Sequence, residues 1–505
     1  MSTGERFHLF AALLVWALSP CAGQAEDAPL TQRQWFEVRT PHFHTYSCAV
    51  TQEVVRLAAR LEQFHEAYSL LAGNQAVVSP PIVVMAFPDH AALEPFLPVY
   101  QGQPANLAAF FSRGSDENLI VLSLGKAGAG TSLEAVFHEY AHLLLRHNEQ
   151  FWPLWLKEGM ADIYGTFEVT GDHSVRIGSP MPIYLHLLSQ QPMMPLKALF
   201  AVQHDSPEYN ERERQGMFYA ESWLLTHYLM LGGNPWHKTH FGQLTTLLRE
   251  GQPMAAAFTN VFRTPLPLME KELRDYLERG RFAPLGFTVR GSLSSPQALT
   301  TRGVAPVETC FRLGDQLLRV GRPEAAQGYF EQGRKLAPAS PFPFEGLGLL
   351  AADRGQHEEA VKFLQEAIQR GSRSFLAYYI FAREKLRQRA KTPDTFTRLP
   401  RAEGAEIRAD LEQSLSLMPD FGPAHHLLGF LELLQGENLG AAEQHLQRAI
   451  QLEPENESYR LTLAQAQLSR NDSESARRTL EPLRRPYVEA RVRSTAEEML
   501  KAMGQ

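Results

Sequence analysis

Cysteine is scarce in this chain: three in 505 residues, Cys21, Cys48 and Cys310. That excludes a disulfide framework and a cysteine-rich zinc module. A surplus of one charge is missing too. Lys and Arg number 49 against 56 Asp and Glu, a net charge of −7, which argues against a broad electrostatic footprint for nucleic acid. Long apolar runs are also lacking. The one near the N-terminus, Leu9 to Leu18, has ten residues, whereas a membrane span needs ~20. Apolar residues still make up 44% and charged residues 21% of the chain, which argues against broad disorder. At ~100–200 residues per domain, the length implies two to four domains.

The short apolar run follows a polar start containing Arg6 and precedes Pro20, Gly23 and Ala25. This order suits a cleavable secretory signal over residues 1–25, cut after Ala25. The chain is therefore expected to be exported, periplasmic or secreted, with no membrane span after cleavage. Leu18-Ser19-Pro20-Cys21 approaches a lipoprotein signal. Pro20 stands where a small residue is expected, so lipidation is the lesser option. Cys48 and Cys310 remain after cleavage, in different expected domains, and are expected as free thiols.

Residues 34–47 mix aromatic and β-branched residues around Thr40-Pro41 and read as two short strands or one kinked strand. Val54, Leu57, Leu61, Phe64, Tyr68 and Leu71 keep a helical spacing. Pro80 to Phe87 reads as a buried strand, and Leu107–Phe111 and Leu119–Leu124 as two more. From residue 131 the pattern is mostly helical. Residues 286–305 lose that periodicity and gain Gly, Ser and Thr, so they are expected as a linker. The first domain then covers 26–285.

Beyond the linker a motif recurs. Leu313-Gly314, Gly321, Ala326, Phe330 and Pro338 define one unit. Leu347-Gly348, Gly355, Ala360, Leu364 and Ala367 repeat it 34 residues later, and Leu428-Gly429, Gly436, Ala442, Leu446, Ala449 and Pro454 repeat it again. Small residues let paired helices approach closely, and proline ends the second helix. The pattern resembles tetratricopeptide repeats. About five units are expected over 306–490, with an insertion at 389–404 and a C-terminal tail at 491–505. Stacked units leave a groove. Its expected positions include Phe311, Leu318, Leu349, His426, Phe430 and Leu433. They lack a basic cluster, so the groove is expected to take an apolar segment, from a protein partner or from the chain itself.

Residues 131–147 read TSLEAVFHEYAHLLLRH. Thr131 with Glu134 three residues on is a capping-box pattern, so a helix is expected to start there. His138 and His142 then lie one turn apart on one face and can share a tetrahedral metal. Glu139 beside them can act as general base, as in HExxH. Trp155 to Asp162 form a second expected helix. Glu158 can complete a His, His, Glu set with an open fourth position, and Asp162, one turn on, can accept the far N–H of a ligand histidine.

HEYAH followed by EGMAD resembles the gluzincin metallopeptidases, and residues ~34–280 look like the peptidase-MA-like domain found with tetratricopeptide tails. The resemblance implies an α+β zincin-like metallopeptidase domain followed by an all-α tetratricopeptide-repeat solenoid. It implies one Zn2+ ion on His138, His142 and Glu158, Glu139 as base and Asp162 as an orienting partner. MFYAESWLLTHYLM at 217–230 resembles that family's later helix, with Tyr219 in place of its tyrosine. Tyr219 would be an oxyanion donor, although its residue type fits a packed aromatic equally well. The strand Asn118–Leu124 is expected as an edge for a substrate peptide. The expected function is an exported zinc peptidase acting on peptides or proteins through a metal-activated water, with repeats that recruit a protein. The alternative is a catalytically silent scaffold of the same fold. Glu139 disfavours it, because a scaffold has no use for a base.

Overall fold

The computed structural model describes residues 29–71, 82–100, 103–105, 107–114, 117–125, 129–149, 152–171, 173–203, 206–210, 212–289, 293–389, 401–436, 438–485 and 488–503. The expected signal peptide and residues 390–400 of the expected insertion lie outside them.

Apart from a two-residue pair, Val99–Tyr100 with Gln103–Pro104, the strands are β1 (Trp35–Arg39), β2 (Phe43–Ser47), β3 (Ile82–Phe87), β4 (Ala109–Arg113), β5 (Asn118–Ser123), β6 (Glu168–Gly171), β7 (Ser174–Ile177), β8 (Leu285–Thr288) and β9 (Thr301–Val304). A six-stranded sheet runs β9-β1-β2-β3-β5-β4. The central pairs β2–β3 and β3–β5 are parallel, and the outer pairs are antiparallel. Strand β5 is thus flanked on both sides, and its backbone is committed to β3 and β4. The sequence expectation that Asn118–Leu124 forms the free edge is corrected: the outer strand on this side is β4.

Both faces of the sheet are apolar, so the central strands read as continuous hydrophobic runs. Alternation sorts them. Ile82, Val84, Ala86, Ile120 and Leu122 face one core, shared with Leu57, Leu61 and Phe64 of α1 (Thr51–Leu71) and Phe137 and Tyr140 of α2 (Ala129–Glu149). Helix α2 starts two residues before Thr131, which therefore lies inside its first turn. The helices α3 (Leu154–Gly165), α4 (Pro182–Gln190), α5 (Arg212–Leu231), α6 (Pro235–Arg249), α7 (Met254–Phe262) and α8 (Leu266–Arg279) extend this core. This N-terminal unit is α+β.

A helical array follows. Its antiparallel pairs are α9 (Pro306–Arg319) with α10 (Pro323–Leu336), α11 (Phe342–Asp353) with α12 (His357–Gln369), and α13 (Phe375–Arg389) with α14 (Arg401–Leu417). Next come α15 (Gly422–Gln435) with α16 (Leu439–Leu452) and α17 (Ser458–Ser469) with α18 (Ser473–Leu480). Gly321, Gly355 and Gly436 end first helices at φ 74°, 69° and 68°, a left-handed turn that glycine adopts without a Cβ clash. The segment expected as a C-terminal tail instead carries α19 (Ala490–Ala502), which buries Val492 and Ala496 against Leu480 and Leu483 of the last pair.

The second face of the sheet is where the two units join. Tyr46, Val83, Met85, Phe87, Leu119 and Val121 share one core with Phe311, Leu313, Leu317 and Phe330 of the first repeat. Phe311 is buried there and is not a groove position, whereas Leu318, Leu349, His426, Phe430 and Leu433 stay partly exposed. The 286–305 segment also does more than connect. Strand β8 pairs with β7, and β9 pairs with β1. Polar groups reinforce the junction. Buried Glu37 accepts from Arg39 Nε and Arg302 Nε at 2.8 Å each and from the Tyr46 hydroxyl at 3.0 Å. Arg302 continues to Glu308 of α9 at 3.0 and 3.1 Å, and Gln316 Nε2 of α9 donates to the Phe96 carbonyl at 3.3 Å. Burial pushes the Glu37 carboxyl up, but the two guanidiniums outweigh it and hold it below the usual range.

Candidate metal centre

Helices α2 and α3 build the site by close approach. A Cβ on Gly165 would lie 3.2 Å from the Glu134 carbonyl oxygen and 3.4 Å from His138 Cβ, so glycine lets the end of α3 sit against α2. On α2, His138 and His142 fall one turn apart and aim their Nε2 atoms at one point, 3.2 Å from each other. Glu158 of α3 brings Oε2 to 3.4 Å from His138 Nε2 and 3.5 Å from His142 Nε2.

These three separations test the fit of a metal. Ligands ~2.0–2.1 Å from a tetrahedral centre stand about 3.3–3.4 Å apart. The observed triangle of 3.2, 3.4 and 3.5 Å matches that edge. Two imidazole nitrogens and one carboxylate oxygen also match the donor chemistry of zinc, and three ligands leave a fourth position.

Asp162, one turn beyond Glu158, reaches His138 Nδ1 with Oδ1 at 2.9 Å. The carboxylate accepts, so Nδ1 carries a proton, and in the neutral imidazole the lone pair falls on Nε2. Both carboxylates are 3% exposed, which leaves solvent little part in setting this tautomer. Burial pushes the His138 imidazole down, but Asp162 and Glu158 outweigh burial and lift it to about 10. Burial likewise favours the neutral form of Glu158, yet the two imidazoles pull its carboxyl below the ordinary range. The pocket therefore draws positive charge inward. Glu139 is buried beside His138 on the same helix.

Tyr219, on α5, is half-buried, with its ring centroid 6.4 Å from that of His138. His138, His142, Glu158, Asp162 and Tyr219 thus meet where α2, α3 and α5 come together, and Glu139 follows His138 on α2. Two tyrosines were missed. The Tyr184 hydroxyl of α4 donates to Asp162 Oδ1 at 3.3 Å. Tyr209, on the one-turn helix Pro207–Asn210, donates to Glu158 Oε1 at 3.4 Å. Neither belongs to a spaced motif. Tyr209 did carry a faint signal, as the lone tyrosine in the charged run 203–216.

The comparisons speak to the array. Residues 311–374 and 433–498 match tetratricopeptide-repeat family models. The C-terminal half is thus a tetratricopeptide-like array. A thermophilic TPR protein of Thermus thermophilus is 23% identical over 39% of this chain and 99% of its own, with a TM-score of 0.30. A TPR protein described as having an unusual peptide-binding site is 12% identical over 38% of this chain and 91% of its own, with a TM-score of 0.32. A tetratricopeptide repeat protein of Parabacteroides merdae is 11% identical over 54% of this chain and 94% of its own, with a TM-score of 0.29. No curated protein matches the sequence. Among the described residues, no helix is long and apolar enough to cross a membrane.

Proposed function

We propose that the chain is an exported zinc-dependent peptidase of gluzincin type with a zincin-like N-terminal domain, and that its repeats recruit the protein it acts on. The observation that carries this reading is the tetrahedral triangle formed by His138, His142 and Glu158, with Glu139 buried next to His138 on the same helix. A zinc ion on these ligands supplies Lewis-acid polarisation of a carbonyl and lowers the pKa of water. Glu139 takes the proton from the attacking water and passes it to the leaving amine. Asp162 holds His138 in the ligating tautomer. Tyr219 donates to the carbonyl oxygen as charge develops on it. A peptide extends the sheet along β4, the outer strand beside the α2 layer. The repeats bring an interaction surface, the usual use of such arrays.

Glu139→Gln tests the reading. Gln is nearly isosteric and neutral, so packing holds and the proton acceptor is lost. The expected variant is folded, binds one zinc like the wild type, and has essentially no peptide cleavage. Zinc stoichiometry and turnover of a mixed peptide library are measured on the same preparations. Equal turnover by both proteins removes Glu139 as the base, and loss of zinc along with activity makes it a structural group. A zinc-loaded wild type that cleaves nothing favours the silent scaffold.

A further inference from the structure

Glu158 uses its two oxygens differently. Oε2 faces both imidazoles, whereas Oε1 turns away and accepts from Tyr209. A carboxylate only accepts, so the Tyr209 hydroxyl is the donor of this bond. The rings are held as well. Tyr209 meets Phe218 edge-on at 5.8 Å between centroids and lies 6.1 Å from Tyr219.

We propose that Tyr209 is a positioning residue of the metal centre, whose hydroxyl keeps Glu158 ligating through Oε2 alone. This rests on the zinc-centre reading above. A carboxylate with both oxygens free can chelate and fill the position that catalysis needs open. A hydrogen bond to Oε1 opposes that.

The test uses the full chain with Tyr209→Phe and, as comparator, Tyr219→Phe. Phe keeps the ring against Phe218 and removes only the hydroxyl, so the melting temperature is expected to match that of the wild type. Zinc affinity is read by competition with a chromophoric chelator. Coordination number is read from the visible bands of the cobalt(II) form, which weaken when a fifth ligand binds. Losing a partner of a ligating group typically costs ~10–100-fold in metal affinity. Tyr209→Phe is expected at the lower end, about 10-fold, with weakened cobalt bands. Tyr219→Phe is expected to leave both readouts unchanged. Wild-type affinity and an unchanged cobalt spectrum in Tyr209→Phe overturn the proposal. So does an equal loss in Tyr219→Phe, because the effect would then not run through Glu158. A wild type that takes up neither metal, or takes up both equally after His142→Ala, overturns the zinc-centre reading and this proposal with it.

Discussion

Gly159 stands next to Glu158 where α3 crosses α5, and a Cβ there would lie 2.1 Å from Thr226 Oγ1 and 2.4 Å from the Ser222 carbonyl oxygen. The second of these is backbone, so no rotamer change relieves it. Gly159→Ala must push α3 away from α5 and carry Glu158 with it. Overpacking of this kind costs ~1–3 kcal/mol. The expected outcome is a lower melting temperature together with weaker zinc binding, measured by thermal unfolding and chelator competition. A lowered melting temperature with wild-type zinc binding would show that the helices separate without moving Glu158, and wild-type values of both would show that the crossing accommodates the methyl group. The candidate site was legible in the sequence because its donors sit at helical spacings: His138 and His142 within one helix, Glu158 and Asp162 within another. Tyr184 and Tyr209 come from other segments and meet the site only through tertiary packing, so spacing along the chain could not find them.

The helices of the array were legible for the same reason, since small residues recur at the crossings, 34 positions apart at Gly314 and Gly348 and again, past the insertion, at Gly429. Phe330 shows what those small residues do. Its ring is wedged between two glycines, and a Cβ would come within 2.4 Å of it from Gly314 and within 2.2 Å from Gly346. One side chain thus fixes α9, α10 and α11 together. Phe330→Ala removes a fully buried ring, and such truncations cost ~3–5 kcal/mol. Denaturant unfolding is expected to show a loss of that size, and a change below ~1 kcal/mol would mean that the glycines collapse onto the gap. The strands after residue 284 were not legible. Leu285–Thr288 and Thr301–Val304 are four residues each, and their partners lie more than 100 residues away in the sequence. Short strands set by distant pairing leave little local periodicity, so Gly and Ser in that stretch read as a linker. The edge position of β4 was hidden likewise, because neighbour order in a sheet follows from the whole topology.

At the scale of the molecule, the first repeat serves as the missing layer of the N-terminal sheet. Helix α9, together with Leu93, Phe96 and Leu97, closes the core on the face that bears Tyr46, Val83, Met85, Phe87, Leu119 and Val121, and it is tied to the far edge through Glu37, Arg302 and Glu308. Each such side chain contributes ~1.5–3 kcal/mol when fully buried. Uncovering several of them removes an amount comparable with the ~5–15 kcal/mol that stabilises a domain. A chain cut at the expected linker, residues 29–305, is therefore expected to aggregate or to bind a hydrophobic dye, even though every candidate metal ligand is retained. A chain of residues 29–369, which keeps the first two repeats, restores the covering helices together with Phe330 and both of its glycines. It is expected to be monomeric, to bind little dye and to take up zinc with the stoichiometry of the full chain. Gel filtration, dye fluorescence and metal analysis on the two truncations decide the matter. If the shorter chain is monomeric and dye-free, the sheet closes its second face without the array, and the repeats are a separable attachment rather than part of the N-terminal unit's core.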